Sequence, residues 1–573
     1  VRSALADDAK LKGVAEADRT ALTDFYNAPD AKPLWVTPDG LSDKGKTLIG
    51  EIRKADDWGL SASSFDVPDA SATPKSPEEL ADAERRISVA ALRYARFARG
   101  GRFDPGSLIR SYDQNPPVRD PKVVISELAT ASAPDKYLRD QHPKHEQFVR
   151  LRKALLALRA EEKPADPAEA ARHVTIPRGP ALRPGADNPN VALLRKRLDV
   201  AAEADNENIY DDALVEAVKA FQTAHGLQAD GIVGGGTRNA LNGELGIKPN
   251  KERDIARILV NMERWRWMPE HLGHVYVWDN LPEFMTHVMK DGKSIFSEKI
   301  VVGLPNWPTP VFSAPMKYIV FNPSWGMPDG IKQKELLPRL RKYSSGGNFF
   351  EEMFGGGPNA ADVLEAQDLI VSYNGRQIDP NSVNWSQVNI RAFSFTQPPG
   401  PRNVLGRLKF MFPNKHDVYM HDTVQKDLFA RSVRNYSHGC MRVQNPLRFA
   451  QVILGEDKGW SAEQVESYYR SSASNEVRLD KSIPVHVTYF TAVVDDDGTV
   501  KTYGDIYGHD SRISSALGKP YHFEAPRGGG SDAEEVAYSG DDARPRRKRE
   551  ARNVRKQRQP QTLSDIFSSL YGP

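Results

Sequence analysis

Apolar side chains recur along this chain with two different periods, and the change from one to the other divides it. Up to about residue 267 the spacing is helical. Phe148, Leu151, Leu155 and Leu158 make one stripe, Val191, Leu194 and Leu198 another, Leu214, Val218 and Phe221 a third, and Ile255, Ile258, Met262 and Trp265 a fourth. Residues three and four apart share a helix face, so each stripe predicts a helix with one buried side. From residue 274 the alternation is every second residue, at 274–278, 297–302, 318–321, 418–421 and 485–490, with a short strand near 500–502. These are strands, bounded by turns such as Asp291-Gly292 and Gly303-Leu304-Pro305.

Between them lies an irregular excursion at about 331–395, where glycines at 346–347 and 355–357 stand among Phe349, Phe350, Met353 and Phe354. That composition reads as a mobile lid with an apolar underside, and loops of this length in compact domains are usually functional. The Pro/Gly-rich stretch 176–190 separates a helical scaffold, 1–180, from a compact three-helix unit, 188–246. In that unit Gly226 reads as a helix C-cap and Thr237 as the N-cap of a last short helix. A mainly β domain with a sandwich core, 251–525, follows, then a polar tail, 526–573. The expected fold class is multidomain α+β. In the tail, residues 544–558 hold nine Arg/Lys against one Glu, the signature of a disordered basic segment, and Leu563, Ile566, Phe567 and Leu570 form a short amphipathic stretch.

Composition narrows the function classes. There are 78 Lys+Arg against 76 Asp+Glu, a net +2, which argues against a dedicated nucleic-acid binder. No apolar run approaches the ~18 residues of a membrane span. The chain opens at Val1 without an apolar leader, which reads as an exported protein whose signal peptide has been removed. One cysteine leaves no internal disulfide, and in an oxidising compartment that suits a catalytic thiol without a mispairing partner.

That cysteine, Cys440, stands in Tyr436-Ser437-His438-Gly439-Cys440-Met441-Arg442-Val443. Upstream, Val418 and Met420 face one way along a strand while Tyr419 and His421 face the other. Downstream, Asn445-Pro446 followed by Leu447, Ala450 and Leu454 reads as an N-capped helix start. Cys440 is therefore expected in a tight turn between a strand end and a helix. A thiol of pKa about 8.5 is mostly protonated at neutral pH, and a neighbouring imidazole can take its proton. The amides of Gly439 and Cys440 could point at a developing oxyanion, a donor typically worth about 3–4 kcal/mol. Nucleophile, base and oxyanion donors make an acyl-transfer site. Two other readings stand beside it: a small buried hydrophobe, and a zinc site drawn from His416, His421, His438 and Cys440.

His421, a gap of fifteen residues, then Ser437-His438-Gly439-Cys440 resembles the signature of the L,D-transpeptidase family of bacterial cell-wall enzymes. The resemblance implies Cys440 as nucleophile and His421 as base, with Ser437, His438 and Gly439 shaping the oxyanion turn. Tyr419, Arg442, Trp325 and Asn403 are the substrate-binding candidates it implies, with Arg442 holding either the turn or a substrate carboxylate. Asp422 stands where a variable third polar partner would, and Asn403, Gly406 and Lys409 are placed along the cleft. Residues 1–180 resemble the amino-terminal scaffold of the large Gram-negative members, 188–246 a peptidoglycan-binding module, and 331–395 an insert that caps the site. The implied activity is 3→3 cross-linking of peptidoglycan stem peptides in the periplasm through a cysteine thioester, with no cofactor or metal and with carbapenems as inhibitors. The alternatives are hydrolysis by the same thiol (L,D-carboxypeptidase), attachment of an outer-membrane protein or lipoprotein to the wall, a metal-dependent wall hydrolase, and a non-catalytic wall-binding scaffold.

Overall fold

The computed structural model describes residues 1–5, 7, 9–160, 174–177, 179–202, 206–224, 229–244, 251–344 and 359–523. The glycine-aromatic part of the expected lid, the Gly226 cap and the basic tail lie outside the described residues.

The amino-terminal region packs α1 (Glu16–Asn27), α2 (Asp43–Arg53), α3 (Pro77–Gly100), α4 (Pro121–Thr130) and α5 (Pro134–Arg139). Their core includes Leu22, Trp35, Ile49, Ile52, Ile87 and Leu128. The longest, α3, starts at a reciprocal cap: Ser76 Oγ accepts the Glu79 N–H and the Glu79 carboxylate accepts the Ser76 N–H, both at 3.1 Å. After it, the two-residue strand β1 (Tyr112–Asp113) leaves this region and joins the sheet of the next domain. The Phe148 stripe is the buried side of α6 (Glu146–Ala160). The compact unit is formed by α7 (Pro189–Leu198), α8 (Asp212–Ala224) and α9 (Gly235–Glu244) around Val191, Leu194, Leu214, Val218 and Leu241. Thr237 is not the cap of α9, which begins at Gly235. Its hydroxyl instead donates to the Ile232 carbonyl at 3.2 Å and accepts from Gln222, tying the helix to the preceding turn.

Helix α10 (Lys251–Trp267) leads into the β domain, buried on nearly every side in its second half. Then come β2 (Val275–Asn280), β3 (Met285–Lys290), β4 (Lys293–Gly303) and β5 (Val311–Phe321). The irregular excursion is a folded insert: β6 (Trp325–Gly326), α11 (Leu337–Ser344), α12 (Ala360–Glu365), β7 (Ile370–Tyr373) and β8 (Phe393–Gln397) surround their own core of Leu336, Leu340, Leu364, Trp385 and Phe395. Its strands are too short to leave a period in the sequence.

The main sheet continues through β9 (Leu408–Met411), β10 (Met420–His421), β11 (Asn435–Ser437) and β12 (Met441–Val443), then α13 (Pro446–Lys458) and α14 (Ala462–Arg470). It ends in the long β13 (Asn475–Thr488), the hairpin β14 (Ala492–Val494) and β15 (Val500–Thr502), and α15 (His509–Ala516). Strand order is β9-β10-β12-β4-β3-β2-β13-β5-β1, with β11 alongside β4. Because β5 also pairs with β9, the sheet folds back on itself around its core, and both layers of the sandwich belong to one hydrogen-bonded sheet. The closing strand starts ten residues before the alternating run at 485–490, at Asn475, and ends at Thr488.

Candidate active site

Leu408, Phe410 and Met420 are fully buried in the sheet core, so Lys409 and His421 project from the other face. The register places Lys409 opposite His421, and His421 beside Arg442 on the parallel β12. Met441 N–H donates to the Tyr419 carbonyl at 3.1 Å, which carries the same pairing back to Tyr419 and Cys440. Tyr419, His421, Cys440 and Arg442 thus stand on one face of adjoining strands, and Lys409 completes the row.

Cys440 lies in the turn between β11 and β12, not between a strand and a helix. Residues 441–443 hydrogen-bond to β10 and β4 and form a strand of their own before α13 begins. Asn445 is the N-cap residue ahead of Pro446 as expected, but its side chain makes no capping hydrogen bond; its amide donates to Glu298 at 2.6 Å. Ser437 Oγ binds the turn at both ends, donating to the Cys440 carbonyl at 2.5 Å and accepting the Gly439 N–H at 3.2 Å. Thr309 Oγ1 donates to the Gly439 carbonyl at 2.8 Å. Gly439 adopts φ +113°, a left-handed conformation that a Cβ would strain. The Gly439 N–H is therefore committed inside the turn, which corrects its expected part as an oxyanion donor; the Cys440 N–H is the one left of the pair.

His421 Nδ1 stands 2.5 Å from the Asp422 carbonyl. A carbonyl only accepts, so Nδ1 carries the hydrogen and Nε2 keeps a lone pair. Burial, then the Arg442 guanidinium, push its pKa down to about 3, with Lys409 and Lys426 adding to the effect and the Asp422 carbonyl opposing it. Burial also pushes the half-buried Cys440 thiol up, against the Tyr419 backbone N–H, Lys409, the Tyr419 hydroxyl and Arg442. At rest the thiol is neutral and donates to the Asp417 carbonyl at 3.8 Å, and the imidazole on the same face is neutral as well. Burial and the neighbouring sulfur hold the Tyr419 phenol protonated, and Trp325 donates to its oxygen. A donor chain Trp325 to Tyr419 to Cys440 results, running from the core of the insert to the sulfur.

The other candidates separate by position. Arg442 is 6 % exposed and donates to Gln425 at 2.5 Å, so it braces the strand end rather than facing a cleft. Asn403, 2 % exposed, is also no cleft residue: its amide donates to the carbonyls of Pro398 at 2.9 Å and Pro323 at 3.1 Å, and its oxygen accepts the Leu405 N–H at 2.9 Å. Asp422 accepts from Arg407 N–H, Thr423 N–H and Lys426, and serves His421 through its carbonyl alone. The histidines of the zinc reading face different partners: His416 meets Asp113, His438 meets Glu335, and His421 meets the Asp422 backbone. Glu335 carried no signal in the sequence, since it lies in the insert 103 residues before His438.

Comparison with known proteins now bears on this face. Residues 274–472 match the L,D-transpeptidase catalytic domain. The chain carries an L,D-transpeptidase catalytic domain. The matched span of the transpeptidase domain holds the whole row from Trp325 to Arg442. Ahead of it, residues 187–241 match a peptidoglycan binding domain and residues 20–155 a scaffold domain. A curated protein of Haemophilus influenzae that carries the L,D-transpeptidase name is 27 % identical over 271 residues, 47 % of this chain and 51 % of its own length. The chain thus spans about half of that relative. Among solved structures, an L,D-transpeptidase from Xylanimonas cellulosilytica overlaps 54 % of this chain and 98 % of its own, at 16 % identity and a TM-score of 0.13. A fused Zn-dependent amidase/peptidase/peptidoglycan-binding protein from Clostridium acetobutylicum overlaps 54 % and 99 %, at 14 % identity and a TM-score of 0.15.

Proposed function

We propose that this protein is a peptidoglycan L,D-transpeptidase acting outside the cytoplasm, with Cys440 as its acylated residue and His421 as its proton carrier. The observation that carries the reading is the shared face: Cys440, in the turn that opens β12, lies on the same face as His421 of the adjoining parallel β10, and the Asp422 carbonyl leaves His421 Nε2 as the open nitrogen. His421 takes the thiol proton as Sγ attacks the carbonyl carbon of the third residue of a donor tetrapeptide stem. The bond to the terminal D-alanine breaks, the proton passes from Nε2 to the leaving nitrogen, and a thioester remains on Cys440. The side-chain amine of a second stem then attacks the thioester, gives its proton to Nε2 and forms the 3→3 link, and the proton returns to the released sulfur. The Cys440 N–H is the donor for the oxyanion in both steps. The module at 188–246 would hold the enzyme on its polymeric substrate.

The test is intact-mass analysis of the protein incubated with a tetrapeptide donor, and separately with a carbapenem. Each should add one acyl group to the wild type and none to Cys440→Ala, and products with and without an amine acceptor separate transfer from hydrolysis. Failure of the wild type to take up either acyl group would overturn the reading.

A further inference from the structure

The row across β9, β10 and β12 contains a half-buried cation, Lys409, with no ion-pair or hydrogen-bond partner among the described residues. Arg442 is committed to Gln425, and Lys426 to the Asp422 carboxylate and the Gln444 carbonyl. Lys409 is different. Its ammonium rests 3.9 Å from the centre of the Tyr419 ring, half-buried, and forms no ion pair or hydrogen bond with another described residue. Burial holds its pKa below the ordinary lysine value, against the Cys440 sulfur and then Asp417, which act on it at longer range. A positive charge taken partly out of water, with an aromatic face and a resting neutral thiol as its near neighbours, is under-compensated. It also stands directly opposite His421 in the register and opposes that imidazole's uptake of a proton. An anion bound to Lys409 would compensate that charge and remove its share of the depression of His421, leaving the larger shares of burial and Arg442.

We propose that Lys409 binds the terminal carboxylate of the acyl donor and so makes the site specific for peptides that end one residue beyond the scissile bond. The inference rests on the transpeptidase reading for the identity of the donor, and on the row for the position. His421 Nε2 must meet the leaving nitrogen to return a proton to it. In a donor that ends one residue on, the terminal carboxylate is separated from that nitrogen by a single carbon. Side chains opposite one another in an antiparallel pair have Cβ atoms about 5 Å apart, so a nitrogen at His421 leaves its carboxylate within reach of the Lys409 ammonium. Donors extended by a residue, or amidated at the terminus, present no charge there. Seating the carboxylate also neutralises one of the three cations that depress His421, so the base gains some proton affinity when a correct donor is bound.

The experiment compares a free-acid tetrapeptide donor with its terminal amide on the wild type, Lys409→Met and Lys409→Arg, reading kcat/KM for acylation of Cys440. The wild type should prefer the acid by about tenfold or more, as for a charged hydrogen bond. Lys409→Met should bring the ratio close to one by slowing only the acid, and Lys409→Arg should restore the preference. A ratio that Lys409→Met leaves unchanged, or a wild type without preference, overturns the proposal. A parallel arm needs no transpeptidation: alkylation of Cys440 by iodoacetate against neutral iodoacetamide, followed by mass. Lys409→Met should slow iodoacetate relative to iodoacetamide, whereas an equal loss with both reagents means that Lys409 only supports the thiolate and sinks the idea. A protein that is never acylated by the peptide, yet shows the Lys409-dependent preference for iodoacetate, keeps the carboxylate site and loses the transpeptidase reading.

Discussion

His438, two residues before the nucleophile, and Glu335, on the insert, are joined by a 2.7 Å hydrogen bond. The Glu335 side chain is 1 % exposed, and its second oxygen has no partner among the described residues. Beside it, Lys334 lies 4.0 Å from the ring centre of Trp307, which packs edge-on to His438. The insert is thereby fastened to the turn that carries Cys440. Glu335→Ala removes that fastening and leaves a largely buried imidazole nitrogen without its acceptor, a loss of about 1–3 kcal/mol. We expect a lower melting temperature and a higher ratio of hydrolysis to amine transfer, because a loosened insert admits water to the thioester. Glu335→Gln keeps an acceptor and should retain most of the transfer; an unchanged product ratio in the alanine variant would show that the contact is structural only.

The pH profile of thiol reactivity follows from His421 and Cys440. His421 holds no second proton above about pH 3, and the thiol titrates above its ordinary range. Alkylation of Cys440 by iodoacetamide should therefore climb about tenfold per pH unit through neutrality, with no inflection near 6.5. The same depression has a sign for stability. Between about pH 6.5 and 3 the unfolded chain binds a proton at His421 that the folded chain refuses, so this group makes stability fall as pH falls, by up to about 1.4 kcal/mol per unit. His421→Gln should flatten that part of the curve, read by denaturant titration at several pH values.

Gly406 approaches the anchor of His421. Its φ is +57°, and a Cβ there would stand 2.4 Å from the Asp422 carboxyl. Gly406→Ala must push Asp422 aside, and with it the carbonyl that orients His421. Acylation of Cys440 should slow by about tenfold, with a stability loss of about 1–3 kcal/mol from backbone strain. Kinetics and denaturation of the same sample check both.

Arg264 and Asp510 form an ion pair at 2.5 Å, 2 % and 0 % exposed at their side chains. Arg264 also donates to the Tyr112 hydroxyl at 3.1 Å, and Asp510 accepts from Thr491 at 2.6 Å, so one cluster binds α10, β1 and α15 together. Asp510→Ala leaves the guanidinium buried without its counter-charge and should cost about 3–5 kcal/mol in chemical denaturation. A loss below 1 kcal/mol would contradict this account.

Local chemistry was legible in the sequence wherever it depends on neighbours in the chain. The alternation at 418–421 sets Tyr419 and His421 on one face because successive strand residues point to opposite sides. Ser437, Gly439 and Cys440 announce a tight turn because a hydroxyl and a missing Cβ let three residues close it. The helical stripes of α6, α8 and α10 follow from the same local geometry, and the spaced His-Ser-His-Gly-Cys motif is enough to point to the family.

Tertiary structure alone decided which distant residues meet that motif. No period or spacing brings Glu335 to His438, Lys409 opposite His421, or β1 from the amino-terminal region onto the edge of β5. Those encounters arise because β5 pairs with β13 on one side and with β9 on the other, closing the sheet. They also depend on the insert burying a core of its own above the turn. The same closure seals Asn403 away from the cleft where the sequence had set it, and of the two parts open to Arg442 it leaves the side chain bracing the turn. Pairing over such separations depends on the apolar surface that the whole fold removes from water, and no short window of sequence contains that quantity.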